Sequence, residues 1–302
     1  MTTRREFLFA AAAAASVKLS NSWLVHEHVL VDFGGVVAPG SYDPGEVFRL
    51  ALPKLQDAKA LGCRRFLDCT PAHLGRNPGL LQRLEDASGV EIWTNTGIYG
   101  AADRKGVPPY ARTSGHDVLA GMFISEWTKG VSGAKPRFIK TAVANAKLDE
   151  LDRKLVRAAA IASRETGLTI ASHTGAGTAA IEELEILDAE KVRPEKFVWV
   201  HANSEKDHAY HEKVARAGAW VEFDGFREGK SDWQLECVRW MASNDLLEKT
   251  LIATDSGWYN VGQPNGGNFE GYTYIYTGFL PQLDAKWHKK LMVDNPERAF
   301  GK

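Results

Sequence analysis

The sequence predicts an α/β fold of the (β/α)8, or TIM-barrel, type in a single domain. Short apolar runs of strand character alternate with amphipathic helical patterns from residue 23 to residue 255. Eight strand–helix units in succession suit a closed parallel barrel, whose usual size is about 250 residues. No linker or internal repeat divides the series. An open doubly wound sheet is the alternative, which is disfavoured because no glycine-rich phosphate loop follows the first strand.

The predicted strands are short, apolar and rich in β-branched residues. They cover residues 23–31, 65–70, 90–96, 137–140, 168–173, 197–201, 220–224 and 250–255. The first predicted helix, over residues 45–62, carries apolar residues at helical spacing: Val47, Leu50, Ala51, Leu55, Ala58 and Leu61. The other helices are predicted over residues 80–87, 118–129, 148–166, 179–189, 204–217 and 234–247. The glycine- and proline-rich residues 97–109 are predicted to form a loop.

Residues 1–22 are predicted to be a twin-arginine-type signal segment, and residues 23–302 to form the barrel. The sequence Thr3-Arg4-Arg5-Glu6-Phe7-Leu8 leads into an alanine-rich apolar core that is too short to span a bilayer. This pattern predicts export of the folded chain to the periplasm. A short, solvent-facing, alanine-rich helix is the alternative. No later segment is apolar enough to cross a membrane, so the mature form is not expected in one.

Composition favours a small-molecule substrate over a nucleic acid. The 302-residue chain has 44% hydrophobic residues and a formal net charge of −1. It shows neither a basic surface pattern nor a long charge block. The cysteines lack the spacing of a disulfide framework or a zinc knuckle and are interpreted as buried apolar residues: Cys63, Cys69 and Cys237.

Polar side chains stand at the ends of several predicted strands. His26 and His28 lie two residues apart in the first strand, so both imidazoles point to the same face. A pair of core histidines is the alternative interpretation. Four later strands, however, each close on a polar residue: Lys140, His173, His201 and Asp255. Because active sites of such barrels lie at the C-terminal strand ends, all of these side chains are expected to converge there.

The chemistry of this set predicts a two-metal site. Neutral imidazoles and a carboxylate are ligands that zinc or a similar divalent ion accepts, and five of them exceed what one tetrahedral ion needs. Lys140 does not fit as an ammonium, because two dications would repel it and it has no lone pair to donate. Reaction of its amine with carbon dioxide would produce N6-carboxylysine, an anionic oxygen bridge between the ions.

The order of these residues resembles the phosphotriesterase-like branch of the amidohydrolase superfamily. The motifs that carry the resemblance are Phe138-Ile139-Lys140, Ala171-Ser172-His173-Thr174-Gly175 and Ala253-Thr254-Asp255-Ser256-Gly257. It extends from about Val25 to the closing segment Asp294-Asn295-Pro296-Glu297-Arg298-Ala299-Phe300.

The resemblance implies a role for each of these residues. One metal ion would be held by His26, His28 and Asp255, and the other by His173 and His201. Carboxylated Lys140 and a hydroxide would bridge the two ions. Asp255 would also take the proton of the attacking hydroxide, the alternative being a helix N-cap before Ser256 and Gly257.

Substrate-contacting residues are predicted in the loops after two strands. Thr96-Gly97-Ile98-Tyr99 resembles the loop that supplies a tyrosine facing the bridging hydroxide in lactonase members of the family. An aromatic residue that merely lines the pocket is the alternative for Tyr99. Trp258, Tyr259 and the glycine-rich loop through Gly278 are interpreted as pocket walls and a lid.

The sequence departs from the family pattern after His201. Family members often carry an acidic residue three positions later as part of a proton relay, whereas Ser204 stands there, with Glu205 and Asp207 nearby. Arg227 is interpreted as a solvated loop residue or, alternatively, as a partner for an anionic substrate group. The remaining histidines are interpreted as surface or helix residues without ligand roles: His73, His116, His208, His211 and His288.

The resemblance implies a binuclear-metal-dependent hydrolase that opens a lactone or cleaves a related carboxylic ester through a metal-bridging hydroxide. A phosphotriesterase, or organophosphate hydrolase, with the same machinery is the first alternative. A catalytically silent binding protein on the same barrel is the second, and the complete set of ligand positions argues against it. Exposed faces of helices seven and eight could form a homodimer, although nothing in the pattern requires one.

Overall fold

The strands of the computed structural model close into one parallel barrel, as the sequence predicts. The structure describes residues 16–144 and 147–301. Neighbouring strands pair in parallel in two runs, β10-β1-β2-β3 and β4-β5-β6-β7-β8-β9, numbered in chain order. Their bounds are β1 Ser22–Val31, β2 Cys63–Asp68, β3 Glu91–Trp93, β4 Asn95–Thr96, β5 Phe138–Ala142, β6 Ile170–His173, β7 Phe197–Val200, β8 Trp220–Phe223, β9 Thr250–Ile252 and β10 Gly257–Asn260.

Two barrel positions are each filled by one strand that is broken in two, β3 with β4 and β9 with β10. The barrel closes where β10 pairs with β1, and the N–H of Asp255 donates to the carbonyl of His26 at 3.0 Å. Gly257 has a φ of +98°, and a Cβ there would lie 1.7 Å from the carbonyl oxygen of His28. Glycine is therefore required for the backbone of β10 to approach β1 this closely.

Helices cover the outside of the barrel at every predicted helix position. Three short helices, α3, α9 and α10, were not predicted. The bounds are α1 Pro44–Ala60, α2 Pro78–Ser88, α3 Pro109–Thr113, α4 His116–Lys129, α5 Glu150–Thr166, α6 Gly177–Ala189, α7 His208–Arg216, α8 Asp232–Ser243, α9 Ala285–Lys289 and α10 Asn295–Phe300.

Helix α7 begins four residues later than the sequence predicts. The residues Ala202–Ser204 form a 3₁₀ turn after His201, whose φ of +66° breaks the helical path. Asp207 then caps α7, because its carboxylate accepts the N–H of Ala209 at 2.9 Å. This turn leaves His201 at the rim of the barrel.

The barrel interior below the rim is filled by apolar side chains from the strands. Phe300, on α10, enters the same cluster and lies with its ring centroid 6.0 Å from that of Phe138, edge to face. Trp23 and Trp93 pack in the same way at 5.1 Å. This close-packed layer leaves the polar chemistry at the C-terminal rim.

The glycine-rich segment after β10 does not form the lid that the sequence predicts. Tyr272, Ile275, Tyr276 and Phe279 are buried, and Ile275–Phe279 is π-helical. Tyr259, predicted as a pocket wall, is also buried, and its hydroxyl donates to Glu46 at 3.0 Å. The aromatic residues of this segment therefore pack against the barrel and do not cover the cavity.

Residues 1–15 of the predicted signal segment lie outside the described residues. The residues that follow lie against the barrel, since the N–H of Val17 donates to the carbonyl of Tyr276 at 2.9 Å and that of Leu19 to the carbonyl of Leu61 at 2.9 Å. Within residues 16–144 and 147–301, no helix has the length and apolar character of a membrane span.

Candidate metal centre

A cavity at the C-terminal rim brings together the residues predicted for the site. Its polar lining consists of His26, His28, Tyr99, Lys140, His173, His201 and Asp255. Its apolar lining consists of Val31, Phe33, Pro71, Leu74 and Trp258. A polar cluster at the base of an apolar wall is the usual form of a small-molecule site.

The hydrogen bonds of His28 fix which ring nitrogen is free. Its Nδ1 lies 2.9 Å from the hydroxyl of Thr70, and that hydroxyl donates its one hydrogen to the carbonyl of Leu30 at 2.8 Å. Thr70 must therefore accept from Nδ1–H. Nε2 of His28 keeps its lone pair and lies 3.2 Å from Oδ1 of Asp255.

His26 and His201 are oriented by the same buried carboxylate. Oδ2 of Asp224 lies 3.3 Å from Nδ1 of His26 and 2.7 Å from Nδ1 of His201. Oε1 of Glu222 lies 3.2 Å from Nδ1 of His26. Glu222 is the hydrogen-bond partner of His26 Nδ1, whereas Oδ2 of Asp224 has no hydrogen bond of standard geometry among the described residues. Its negative charge nevertheless favours a proton on the nearby Nδ1 of each ring, which leaves each Nε2 for another partner.

Burial keeps most of these rings neutral. Burial, with Lys140 as the second cause, lowers the pKa of His26 to about 3. Burial and the neighbouring His201 hold the pKa of His173 well below its ordinary value. Burial would lower the pKa of His201 too, but the carboxylate of Asp224 outweighs it and raises that pKa. Asp224 thus favours positive charge at His201. Either a second proton on the ring or a metal ion bound to the ring would supply that charge.

Lys140 and Asp255 complete the cluster. Lys140 is buried, and its Nζ donates to Nε2 of His26 at 3.3 Å. Oδ1 of Asp255 lies 3.6 Å from Nε2 of His26, and among the described residues it has no hydrogen-bond partner although it is buried. A buried carboxylate oxygen without a donor is costly unless a cation occupies its other side.

These residues fit divalent metal ions. Lone pairs of Nε2 of His26, Nε2 of His28 and Oδ1 of Asp255 face one another, an arrangement that a cation between them would relieve. Ligand atoms of His26, His201 and Asp255 lie within 4.8 Å of one another. The ring of His173 adds a further donor, with its centroid 4.2 Å from that of His201. The set exceeds the four ligands of one zinc ion.

Tyr99 lies beside this donor set. Its hydroxyl is 3.0 Å from Nδ1 of His173. Burial, together with Asp255, raises the pKa of Tyr99 above its ordinary value, so the phenol keeps its proton through the neutral range. When Nδ1–H of His173 donates to the phenol oxygen, the hydrogen of Tyr99 is available to another acceptor in the cavity.

Glu27 holds the segment that carries Asp255. It is fully buried, and its Oε1 accepts from both the N–H and the hydroxyl of Thr254, at 3.0 and 2.6 Å. Its Oε2 accepts the N–H of Ser256 at 2.7 Å. Both neighbours of Asp255 are thereby fixed, and Asp255 itself has a φ of +48°, which a non-glycine residue adopts only when its surroundings impose it.

Trp258 forms one wall of the cavity, as the sequence predicts. Its ring lies 4.0 Å from that of His28 and 5.8 Å from that of Phe33, measured between centroids. Its Nε1–H donates to the carbonyl of Asp255 at 2.8 Å. The indole therefore both lines the cavity and restrains the backbone of Asp255.

Sequence reasoning missed the residues that support the cluster from below. These are Glu27, Thr70, Glu222 and Asp224. A signal for two of them was present, because Glu222 and Asp224 lie two residues apart at the end of a strand, like His26 and His28, and so share a face. Glu27 and Thr70 gave no such signal, because their partners come from distant parts of the chain.

Glu205 and Asp207, the acidic residues near Ser204, do not replace the acidic residue that family members often carry three positions after His201. Glu205 accepts the N–H of Gly177 at 3.0 Å, and Asp207 caps α7. The carboxylate beside His201 comes instead from Asp224.

Arg227 is not the solvated loop residue of the first interpretation. Its guanidinium donates to the carbonyls of Thr254 at 2.7 Å and of Asp255 at 3.1 Å. Its Nε also pairs with Glu270 at 2.6 Å. Since carbonyls and a carboxylate occupy these donors, Arg227 acts here as a clamp on the loop that carries Asp255.

The chain resembles known proteins over most of its length. A family model described as the phosphotriesterase family matches residues 12–300. The chain is 31% identical over 209 residues to an aryldialkylphosphatase of Saccharolobus solfataricus, a match that covers 67% of this chain and 65% of that protein. It is 26% identical over 260 residues to a phospho-furanose lactonase of Mycoplasmopsis synoviae, covering 76% of this chain and 73% of that protein.

A solved structure supports the same relationship. A double mutant of an organophosphorus hydrolase from Deinococcus radiodurans superposes with a TM-score of 0.81 at 25% identity, over 93% of this chain and 92% of that one. The fold and the arrangement of the strands are therefore shared along nearly the whole described chain.

Proposed function

The chain belongs to the phosphotriesterase family, and from that premise we propose that this hydrolase opens lactones or cleaves related carboxylic esters. The observation that carries the choice of substrate is the position of Tyr99, whose hydroxyl lies in the cavity 3.0 Å from Nδ1 of His173. A phenol there can donate a hydrogen bond to the oxygen of a ring ester. The lactonase name of one relative supports the same substrate class.

We assign the metal ligands as the resemblance implies. His26, His28 and Asp255 would hold one divalent ion, which we propose to be zinc, and His173 and His201 the other. Lys140 would provide oxygen donors to both after carboxylation of its amine. When bound, the two ions would activate a water molecule and polarise the scissile bond.

The residues of the chain would perform the remaining tasks. Burial would raise the pKa of Asp255, but positive charge beside it, on the rings of His26 and His28 or on a bound cation in their place, holds that pKa below its ordinary value. Asp255 is therefore ionised and can accept a proton when water attacks the ester. Tyr99 would orient the ester oxygen, and the apolar wall formed by Leu74 and Trp258 would exclude bulk water from it.

The test is a substrate panel for the metal-reconstituted protein, supplied with bicarbonate. Initial rates on γ- and δ-lactones are compared with the rate on an aryl phosphotriester. We expect lactone hydrolysis to dominate and to disappear in Asp255→Asn. Metal-loaded protein that hydrolyses neither class would overturn the assignment. A chain that takes up no metal would indicate a silent binding protein.

Phosphotriester hydrolysis is the second candidate function. The similarity to an aryldialkylphosphatase favours it, and a site that stabilises a tetrahedral transition state at carbon also accommodates phosphorus. Dominant turnover of the triester in the same panel would select it.

We further propose that the enzyme acts in the periplasm after twin-arginine export. The support is the sequence Thr3-Arg4-Arg5-Glu6-Phe7-Leu8, which lies outside the described residues. Replacing both Arg4 and Arg5 by lysine should leave the protein in the cytoplasmic fraction, whereas unchanged fractionation would contradict the proposal. A homodimer through the exposed faces of the last two barrel helices, of which α8 is the first, stays a prediction, and sedimentation equilibrium tests it.

A further inference from the structure

A second group of metal-ligating side chains lies outside the barrel, between α7 and α8. His208 and His211 come from α7 and Cys237 from α8, and one ligand atom of each lies within 4.8 Å of the others. None of the three lines the rim cavity. The spacing of the two histidines, three residues apart on a helix, places both rings on the same face.

The position of His211 determines its protonation. It is fully buried, and its Nε2 lies 2.8 Å from the carbonyl oxygen of Ala202. Because a carbonyl only accepts, the ring proton is on Nε2 and Nδ1 carries a lone pair. Burial also lowers the pKa of His211 to about 4, so the ring is neutral at physiological pH.

The ring of His208 is held against this lone pair. Its Nδ1 lies 3.0 Å from Nδ1 of His211. Two indoles of α8 fix the ring plane, with Trp240 stacked at 4.5 Å and Trp233 at 5.1 Å between centroids. Nε2 of His208 is a buried atom without a hydrogen-bond partner among the described residues. Packing thus fixes a ring whose polar atoms are only partly satisfied by the protein.

Cys237 supplies the third ligand. It is fully buried, and burial raises the pKa of its thiol to about 12. The thiol is therefore protonated unless a cation binds the sulfur. Cys63 and Cys69 differ, because their Sγ atoms lie near backbone carbonyls of Arg65 and Val25 and neither belongs to a cluster of ligand atoms among the described residues.

We propose that His208, His211 and Cys237 form a further metal site for zinc or a similar thiophilic divalent ion. Two nitrogen ligands of one tetrahedral zinc ion lie about 3.3 Å apart when each Zn–N bond is about 2.0 Å, close to the separation of the two Nδ1 atoms. On binding, the thiol of Cys237 releases its proton to solvent, and His208 carries its ring proton on Nε2. Three protein ligands leave a fourth position for water.

The site would join α7 to α8 and support the turn after His201. Ala202, which follows His201 directly, accepts the hydrogen bond of His211. An ion on Nδ1 would hold that ring in place and so restrain the turn at the rim. This is a structural role, and it does not depend on which ester the enzyme hydrolyses.

Cobalt(II) is the probe that separates this site from the catalytic centre. A thiolate bound to cobalt gives an intense near-ultraviolet charge-transfer band, and none of the ligands assigned to the rim is a cysteine. We expect the band in the cobalt-loaded wild type and in His173→Asn, whose catalytic centre is impaired. It should be lost in Cys237→Ser and retained in the matched buried-thiol control Cys63→Ser.

Zinc content provides a second readout. After saturation and gel filtration, the wild type should retain about three ions per chain and Cys237→Ser about two, given a two-metal catalytic centre. If Cys237→Ser fails to fold, His208→Gln, whose side chain is only partly buried, should weaken cobalt binding at least tenfold. Absence of the band in cobalt-loaded wild type, or its persistence in Cys237→Ser, would overturn the proposal.

Discussion

Oδ2 of Asp224 lies 2.7 Å from Nδ1 of His201. Burial would raise the pKa of Asp224, but His201 and then His26 hold it well below its ordinary value. The carboxylate is therefore ionised, and its charge favours a proton on the nearby Nδ1 of each ring. Asp224 lies behind the rim, beside one histidine of each proposed metal position. It thereby favours a lone pair on Nε2 of His26 and on Nε2 of His201, which face the cavity.

Replacing Asp224 by asparagine should reduce metal affinity or kcat/KM by about 10- to 100-fold, the usual effect of losing a partner of a metal-bound histidine. An amide can donate to Nδ1 and thereby allow the proton to move to Nε2. Chelator competition measures the affinity. The control is Asp152→Asn, a buried carboxylate that pairs with Arg104 away from the cavity, and it should alter stability but not metal affinity. Equal metal affinity in wild type and Asp224→Asn would contradict the prediction.

Tyr99→Phe should lower kcat for lactones by about 100-fold, because the phenol is the donor available to the ester oxygen. Triester turnover should change less, since the bulk of the ring is retained. Steady-state kinetics on both substrates measures the ratio. In the control Tyr276→Phe, the lost hydroxyl bonds to Ser22 at 2.8 Å outside the cavity, and kcat should be unchanged. A lactone rate unaffected by Tyr99→Phe would leave the residue as a wall of the pocket.

Glu27→Gln should destabilise the fold by about 1–3 kcal/mol and weaken metal binding. The two backbone N–H groups that Glu27 accepts are fixed in direction, so an amide nitrogen would face one of them without an acceptor. Urea unfolding measures the loss. Glu183→Gln is the matched control, since its partners are the hydroxyls of Ser172 and Thr174, which can rotate. Equal losses in the two variants would argue against a special role of the backbone contacts.

Bicarbonate should increase both metal uptake and activity if Lys140 is carboxylated. Lys140→Met, which keeps the length of the side chain without the amine, should take up less metal and show no response to bicarbonate. Metal analysis after reconstitution with and without bicarbonate measures the difference. Identical metal uptake by the wild type under both conditions, from carbonate-free buffer, would contradict the prediction.

The strand ends of the barrel could be predicted from sequence because they depend on local patterns. His26 and His28 share a face through strand geometry alone, and Lys140, His173 and Asp255 each follow an apolar run. Because the C-terminal ends of all strands of a closed barrel lie at the same rim, the fold prediction alone implies that these residues converge.

The orientation of these residues could not be predicted from local patterns. The lone pair of His28 points into the cavity because Thr70, which lies two residues after the end of β2, bonds to Leu30. Arg227 was interpreted as solvated because its partners, the carbonyls of Thr254 and Asp255, are distant in sequence. The buried π-helical segment Ile275–Phe279 was missed because glycine-rich sequence usually indicates a loop.

The most direct test of the central claim is the initial rate of lactone hydrolysis before chelation, after chelation, and after return of a divalent metal with bicarbonate. We predict that chelation abolishes the rate, that metal restores it in the wild type, and that Asp255→Asn stays inactive throughout. A rate that persists in protein shown by elemental analysis to be free of metal would contradict the assignment of this cavity as a metal-dependent hydrolytic site.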